Sequence, residues 1–200
     1  NGKAALLFNN SSASLTDSFG LSGGDKDFSV FVVFDKSSIA SNTSPIEFGN
    51  ASASAGEKWG LETLADGNIS NAWNAAQTTT SDTPVDIANK PYVISMNYAG
   101  GGMRSSVNQE IYVNGTKKYG LTVSGSSSAA ASLPTRPDIS IGSDLTGSNA
   151  HNGHIAEVVV YDRKLSDFER QAVEAYLSQK WLEEYYSYQS CSELEAAVGL

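Results

Sequence analysis

Short apolar runs closed by turn residues recur along the whole chain, and they leave it little to build besides stacked β-strands. The runs are Ala4 to Phe8, Phe28 to Phe34, Pro45 to Gly49, Trp59 to Leu64, Tyr92 to Tyr98, Glu110 to Val113, Asp138 to Gly142 and Ile155 to Tyr161. Separated by Gly, Ser, Thr and Asn, they read as the strands of an antiparallel sandwich. In "EIYVNGTKKYG" the pair Asn114-Gly115 lies between two strand-like runs and supplies the positive φ angles of a two-residue type I′ hairpin. With 200 residues, 40% of them hydrophobic, the chain suffices for one large core. Its 18 glycines and 18% charged residues suit frequent turns better than a helical bundle.

Towards the C-terminus the period changes. Ser166-Asp167-Phe168-Glu169 has the form of a capping box, in which Ser166 caps a backbone amide and Glu169 reciprocates, so a helix is predicted from Asp167. Phe168, Ala172, Val173, Tyr176, Leu177, Trp181 and Tyr185 recur every three to five residues, a stripe expected to lie on the sheets. Just upstream, Ile155 to Tyr161 is apolar on both faces and predicts a central strand. Strict alternation puts Ile155, Val159 and Tyr161 on one face and Ala156, Val158 and Val160 on the other. The small residues of "SGSSSAAAS", Ser124 to Ser132, read as a loop.

A net charge of −9 with no basic cluster argues against nucleic acid and anionic membrane surfaces as partners. No apolar run approaches the ~18 residues of a spanning helix, which predicts no membrane insertion. One cysteine, Cys191, excludes an intrachain disulfide framework. The start at Asn1-Gly2 suggests an excerpt from a larger chain.

The segment "GHIAEVVVYDRKLSDFERQAVEAYLSQKW" resembles the C-terminal signature of laminin-G-like members of the concanavalin A-like lectin/glucanase superfamily. "KAALLF", "FSVFVVF", "PYVISMNY", "IYVNG" and "DISIGSD" extend the resemblance in order and spacing across approximately residues 3 to 182. It implies an all-β fold, a two-sheet antiparallel jelly-roll sandwich with a C-terminal closing α-helix. We place that domain at residues 1–186 and a tail or linker at 187–200. The superfamily hosts lectins, adhesion domains and hydrolases alike, so fold alone does not choose among them.

Retaining hydrolases of the superfamily carry closely spaced acids on one strand, and no such run is present. Glu157 and Asp162, five residues apart, are read as lying on opposite strand faces and as non-catalytic. His151-Asn152-Gly153-His154 matches no firm zinc spacing, and no Gly-x-Ser-x-Gly elbow or Gly-x-Gly-x-x-Gly cradle occurs. The resemblance implies calcium at a sandwich rim, for which Asp144, Asn149 and Asn152 are the candidate ligands; an ordinary Asx-turn loop is the competing reading. For a sugar, Trp59 and Trp73 offer flat apolar faces, and Asn71, Asn97, Tyr98 and Arg104 offer polar groups, while core packing competes for each tryptophan. The expectation is a non-catalytic extracellular or cell-surface module that recognises a glycan or a cell-surface protein. The alternatives are a structural or adhesive domain and, more distantly, a glycan-active hydrolase.

Overall fold

The computed structural model describes residues 4–9, 15–18, 20–21, 23–38, 41–52, 57–73, 76–79, 89–101, 108–118, 122–125 and 132–182. Its elements are β1 (Leu6–Asn9), β2 (Leu15–Ser18), β3 (Phe28–Phe34), β4 (Thr43–Gly49), β5 (Lys58–Thr63), β6 (Ile69–Trp73), β7 (Ala76–Thr79), β8 (Tyr92–Tyr98), β9 (Gln109–Val113), β10 (Thr116–Lys117), β11 (Thr122–Gly125), β12 (Asp138–Ile141), β13 (Asn152–Tyr161) and α1 (Asp167–Trp181). Two antiparallel sheets result, ordered β1-β13-β3-β8-β9-β10 and β11-β7-β6-β5-β4-β12-β2. This is the expected sandwich with its closing helix. No helix among the described residues is long and apolar enough to cross a membrane.

Between the sheets lies a core in which Phe28, Val30, Val32 and Phe34 of β3 meet Ile46, Phe48, Trp59 and Leu61 of the second sheet. A smaller cluster joins Phe31 and Val33, on the opposite face of β3, to Leu177 of α1. Cover on both faces explains why "FSVFVVF" is apolar at nearly every position instead of alternating. The hairpin forms as predicted, with φ of 47° at Asn114 and 77° at Gly115, and Val113 pairs with Thr116.

Strand β13 is interior, between β1 and β3, but strict alternation misplaces two residues, Ile155 and Ala156, which exchange faces. The register with β3 shifts between Ile155 and Glu157, so Ile155 stands opposite Phe34 and faces the sandwich core with Val158 and Val160. Ala156, Val159 and Tyr161 pack towards α1. A bulge of one residue is enough to move a side chain across the sheet.

The helix begins where the capping box puts it. Ser166 accepts from Glu169 N–H, and the Glu169 carboxylate accepts from Ser166 N–H at 3.0 Å. Arg163 first, then Ser166, holds the Glu169 carboxyl down at about 2. The helix's buried face follows the predicted apolar stripe only in part: Leu177 is buried with Val173 and Trp181 packed beside it, but Phe168 and Tyr176 are 81% and 54% exposed, and Arg170 and Glu174 are buried instead. The cause is the surface beneath. Tyr112 receives the Arg170 guanidinium 3.6 Å from its ring centroid, and Ser95 donates to Glu174, so this part of the sheet takes a polar pair. Tyr185 and the 187–200 tail lie outside the described residues.

Candidate functional site

Helix α1 packs on β3 and β8, which covers the outer face of the first sheet and leaves the second sheet as the place to look for a site. Across that second sheet the register aligns Ala72, Gly60, Glu47 and Ser140 on the outer face. Small side chains keep this row shallow. A Cβ on Gly60 would come within 3.2 Å of Glu47 Cγ, so glycine there leaves the Glu47 side chain its space.

Glu47 anchors a loop over this face. Its Oε2 accepts the Leu145 N–H at 2.6 Å, and its Oε1 meets Lys58 Nζ at 3.2 Å. Burial pushes the Glu47 carboxyl up, and the Leu145 N–H and Lys58 partly offset this. With both oxygens engaged and only 5% of the residue exposed, Glu47 is a tie between sheet and loop, not an acid open to substrate.

Within the loop, Asp144 Oδ1 accepts from Thr146 N–H at 2.9 Å, Thr146 Oγ1 at 2.7 Å and Ser148 N–H at 2.8 Å. Its Oδ2 takes the Asn149 amide NH₂ at 3.3 Å. Asn149 sits in the left-handed region with φ of 49°. This is an Asx-type turn, the local chemistry that Asp and Asn favour. Calcium asks for 6–8 converging oxygens. Here Asn149 turns a donor towards Asp144, and Asn152 stands in β13 opposite Asn9, so these three residues do not fit a calcium cage. Among the described residues no group of three or more His, Cys, Asp or Glu is placed to hold a metal.

Beside the loop opens a cavity of about 370 Å³, lined by Asp17 and Ser18 of β2, Asp138 and Ile139 of β12, Ala51 and Leu145. Its volume falls near the lower end of the roughly 300–1,000 Å³ typical of small-molecule sites. Asp138 pairs with Ser18 on one side and Gly49 on the other, which fixes the two acidic strands side by side. Gly49, at φ of 141°, has no room for a side chain against Glu57 O, so the chain turns there and delivers Ala51 to the rim. Asp17 and Asp138 are exposed, and Ile139 and Leu145 are half-buried. Asp17 pairs with Ile139, whose side chain packs on the core, and Asp138 pairs with Ser18, so the two carboxylates leave opposite faces of the sheet, and Asp17 Oδ1 accepts the Ser18 N–H at 2.7 Å.

A second cavity, of about 280 Å³, opens at the mouth of the sandwich between Leu6, Ile141, Ile155 and Val158. Glu157 also lines it, but its carboxylate accepts from Lys180 Nζ at 2.8 Å and Trp181 Nε1 at 2.6 Å. Burial pushes that carboxyl up and these two donors more than offset it, so the net shift is downward. Glu157 thus clamps β13 to the end of the helix.

The aromatic residues proposed for a sugar do converge, but inside the protein. Trp59, Trp73 and Tyr98 are at most 3% exposed, with Trp73 and Tyr98 ring centroids 5.1 Å apart and Trp59 4.8 Å from Phe48. Asn71 is buried with them and donates to Gln109. Asn97 lies on the opposite face of its sheet, where it accepts from Ser29 Oγ at 2.6 Å. Arg104 lies outside the described residues. Large rings between two sheets bury more area than any rim position allows, which is why core packing claims them. Asp17 and Asp138 went unnoticed because neither belongs to a motif. Their proximity depends on pairing two strands some 120 residues apart, which no local pattern encodes.

His151 closes the loop from below. It is fully buried, and its Nε2–H donates to Asp35 O at 2.8 Å. Burial pulls the imidazole from its ordinary 6.5 down to about 4, against the opposing effect of Asp35. The folded protein thus binds this proton more weakly than the unfolded chain. Stability should be fully present above pH 6.5 and fall as pH drops towards 4, by about 3 kcal/mol from this group. Urea unfolding of the wild type and His151→Asn across pH 4–7 checks this: the variant should lose that part of the slope.

A laminin G-type model of the "Concanavalin A-like lectin/glucanases superfamily" matches residues 9–169. Among curated proteins none matches the chain in sequence. Among solved structures, the native heptameric SAP-like pentraxin of Limulus polyphemus aligns with a TM-score of 0.56 at 9% identity, over 82% of this chain and 78% of that one. The Ruminococcus gnavus IT-sialidase CBM40 aligns at 0.53 and 13% identity, over 80% of this chain and 98% of that one. Trypanosoma rangeli sialidase aligns at 0.59 and 17% identity over 88% of this chain, which spans only 28% of the sialidase. At these identities the structures share a fold with the chain. The strand order, the closing helix and the match over residues 9–169 agree: this chain belongs to the laminin G-like family of the concanavalin A-like lectin/glucanase superfamily.

Proposed function

We propose that this chain is a non-catalytic carbohydrate-binding module of an extracellular or cell-surface protein, with its ligand site in the cavity between β2, β12 and Leu145. The observation that carries the reading is that cavity, lined by the polar residues Asp17, Ser18 and Asp138 together with the apolar residues Ala51, Ile139 and Leu145. Sugars present the same division between hydroxyl groups and C–H faces. The fold is shared with a sialidase-associated CBM40 that the chain covers almost entirely, which supports the same reading. Engagement of Glu47 by Leu145 and Lys58, and of Glu157 by Lys180 and Trp181, favours binding over hydrolysis. In a second reading the module is adhesive, contacting a protein through the exposed Phe168 and Tyr176 of α1.

Glycan-array screening followed by isothermal titration tests the first reading. Binding to a defined glycan is expected, with no polysaccharide hydrolysis. Because the Asp144 turn satisfies its own carboxylate, we expect equal affinity and an equal melting midpoint in millimolar calcium and in chelator. A calcium-dependent rise in either would restore a rim metal site.

A further inference from the structure

Two residues beyond β3 the chain does something costly: it turns a lysine inward. Lys36 is fully buried, whereas Ser37, Ser38, Ser41 and Asn42 around it are exposed. Its amine donates to Ser41 O and lies 3.5 Å from Thr63 O at the end of β5, so a residue leaving the first sheet reaches the second. Both partners are neutral carbonyls. No carboxylate among the described residues stands at ion-pair distance, and the groups on the elements around it explain why. The approach to β13 brings His151, a base that Lys36 disfavours charging. Asp35, the preceding residue, gives its carboxylate to His154. Glu62 leaves the face of β5 opposite to Thr63, and Asp66, in the turn that follows, is exposed and holds Asn68. The segment at Asn89, whose N–H donates to Lys36 O at 2.6 Å, continues into another cation, Lys90. We propose that Lys36 is a proton-operated latch on the 37–42 loop, which closes over the neutral amine and swings out to return the ammonium to water.

A buried cation without a counter-charge is relieved by losing its proton or by regaining water, because desolvation penalises the charged form. Burial pulls the Lys36 amine from its ordinary 10.5 down to about 8. Water is close at hand. The loop above the amine is already exposed, and the pairing of β3 with β8 and β13 ends at Phe34, so a local swing frees the flexible stem without unpairing either sheet. The open loop binds the proton with the ordinary affinity of lysine and the closed loop binds it more weakly. Closure is therefore favoured most above pH 10.5, loses ground as pH falls towards 8, and changes no further below that. The effect extends past the loop itself. Ser44 N–H donates to Asn149 O at 2.8 Å, and Thr43 Oγ1 lies 3.5 Å from His151 Nδ1, so the segment after the latch also holds the loop that carries Leu145. The inference stands whatever ligand the neighbouring cavity takes.

The test compares the full chain with Lys36→Met, which keeps the stem and removes the proton site. Lysine ε-carbon NMR titration reads the amine directly, its signal being the one missing from the variant. A broad-specificity protease reads the loop, with cut sites within 37–42 mapped by mass spectrometry. Rates are taken as the ratio of wild type to variant in one buffer, so the protease's own pH response cancels. We expect Lys36 to titrate near 8, well apart from the other lysines. The cleavage ratio should fall by about 10-fold per pH unit between 8 and 10.5, since cleavage follows the population of the open loop. Lys36→Gln, neutral but still able to donate to Ser41 O, should lack the same pH response, so the result does not hang on how one variant folds. A Lys36 signal titrating with the other lysines at 10.5 would overturn the inference. So would a cleavage ratio unchanged by pH, or a loop that the protease cannot cut in any of the three proteins.

Discussion

Gly142→Ala is expected to cost about 2–6 kcal/mol, the sum of a strained backbone and an overfilled core. Gly142 sits at φ of 96°, a conformation that residues with a Cβ rarely adopt. A methyl built there would overlap the ring of Phe8, itself buried between the sheets. Neither can yield easily. Gly142 N–H is bonded to Pro45 O at 3.0 Å and its carbonyl accepts from His151 N–H at 2.8 Å, so both flanks of the residue are pinned. Gly24 provides the control, since its φ is 86° but nothing lies within 4 Å of its would-be Cβ. Gly24→Ala should cost only the backbone part, about 1–2 kcal/mol. Urea unfolding of both variants separates the two contributions. Equal losses would mean that Phe8 moves aside freely. Since Gly142 opens the loop that carries Leu145 to the cavity, its replacement should also weaken glycan binding more than Gly24→Ala does.

Glu174→Ala is expected to cost about 3–5 kcal/mol, because it strands a buried guanidinium. Arg170 is 3% exposed and Glu174 4% exposed, and they pair one turn apart beneath the surface of α1. Arg170 Nε has no hydrogen-bond partner even with Glu174 in place. Its second acidic contact, Asp167 at 3.6 Å, comes from an exposed side chain and offers weak compensation. Glu174 also accepts from Ser95 Oγ, which would lose a partner too. Replacing both members of the pair with Arg170→Met and Glu174→Leu should recover much of the loss, since apolar packing on Tyr112 needs no counter-charge. A double-mutant cycle by chemical denaturation measures the coupling; additive losses would show that the two groups act independently.

These residues also mark where sequence reasoning runs out. Each of the eight apolar runs overlaps a strand, because a half-buried strand leaves an alternating or continuous apolar trace. Strands such as β2, "LTDS", and β7, "AQTT", leave too little apolar trace to be noticed. The capping box located the start of α1 because a cap depends on side chains three residues apart. The helix's buried face depends on what lies beneath it, and Tyr112 and Ser95 lie more than 50 residues upstream of their helical partners. Trp59, Trp73 and Tyr98 were the plausible sugar platform for the same reason that they fill the core: they are large, flat and amphipathic. The Asp17–Asp138 cavity exists through strand pairing, which cannot be read from either strand alone.

The partnership of β1 with β13 has a kinetic meaning. Leu6 pairs with Ile155, so the first strand closes against the last. Central strand β3 likewise waits for β13 on one side, while β8 supplies the other. During synthesis, the first sheet therefore cannot complete itself until nearly the whole described chain has emerged, and folding should fall in the slow, millisecond-to-second class of high-contact-order β proteins. A circular permutant that joins the two ends and reopens the chain at the Asn114-Gly115 hairpin would bring β13 and β1 close in sequence, and should fold faster at similar stability.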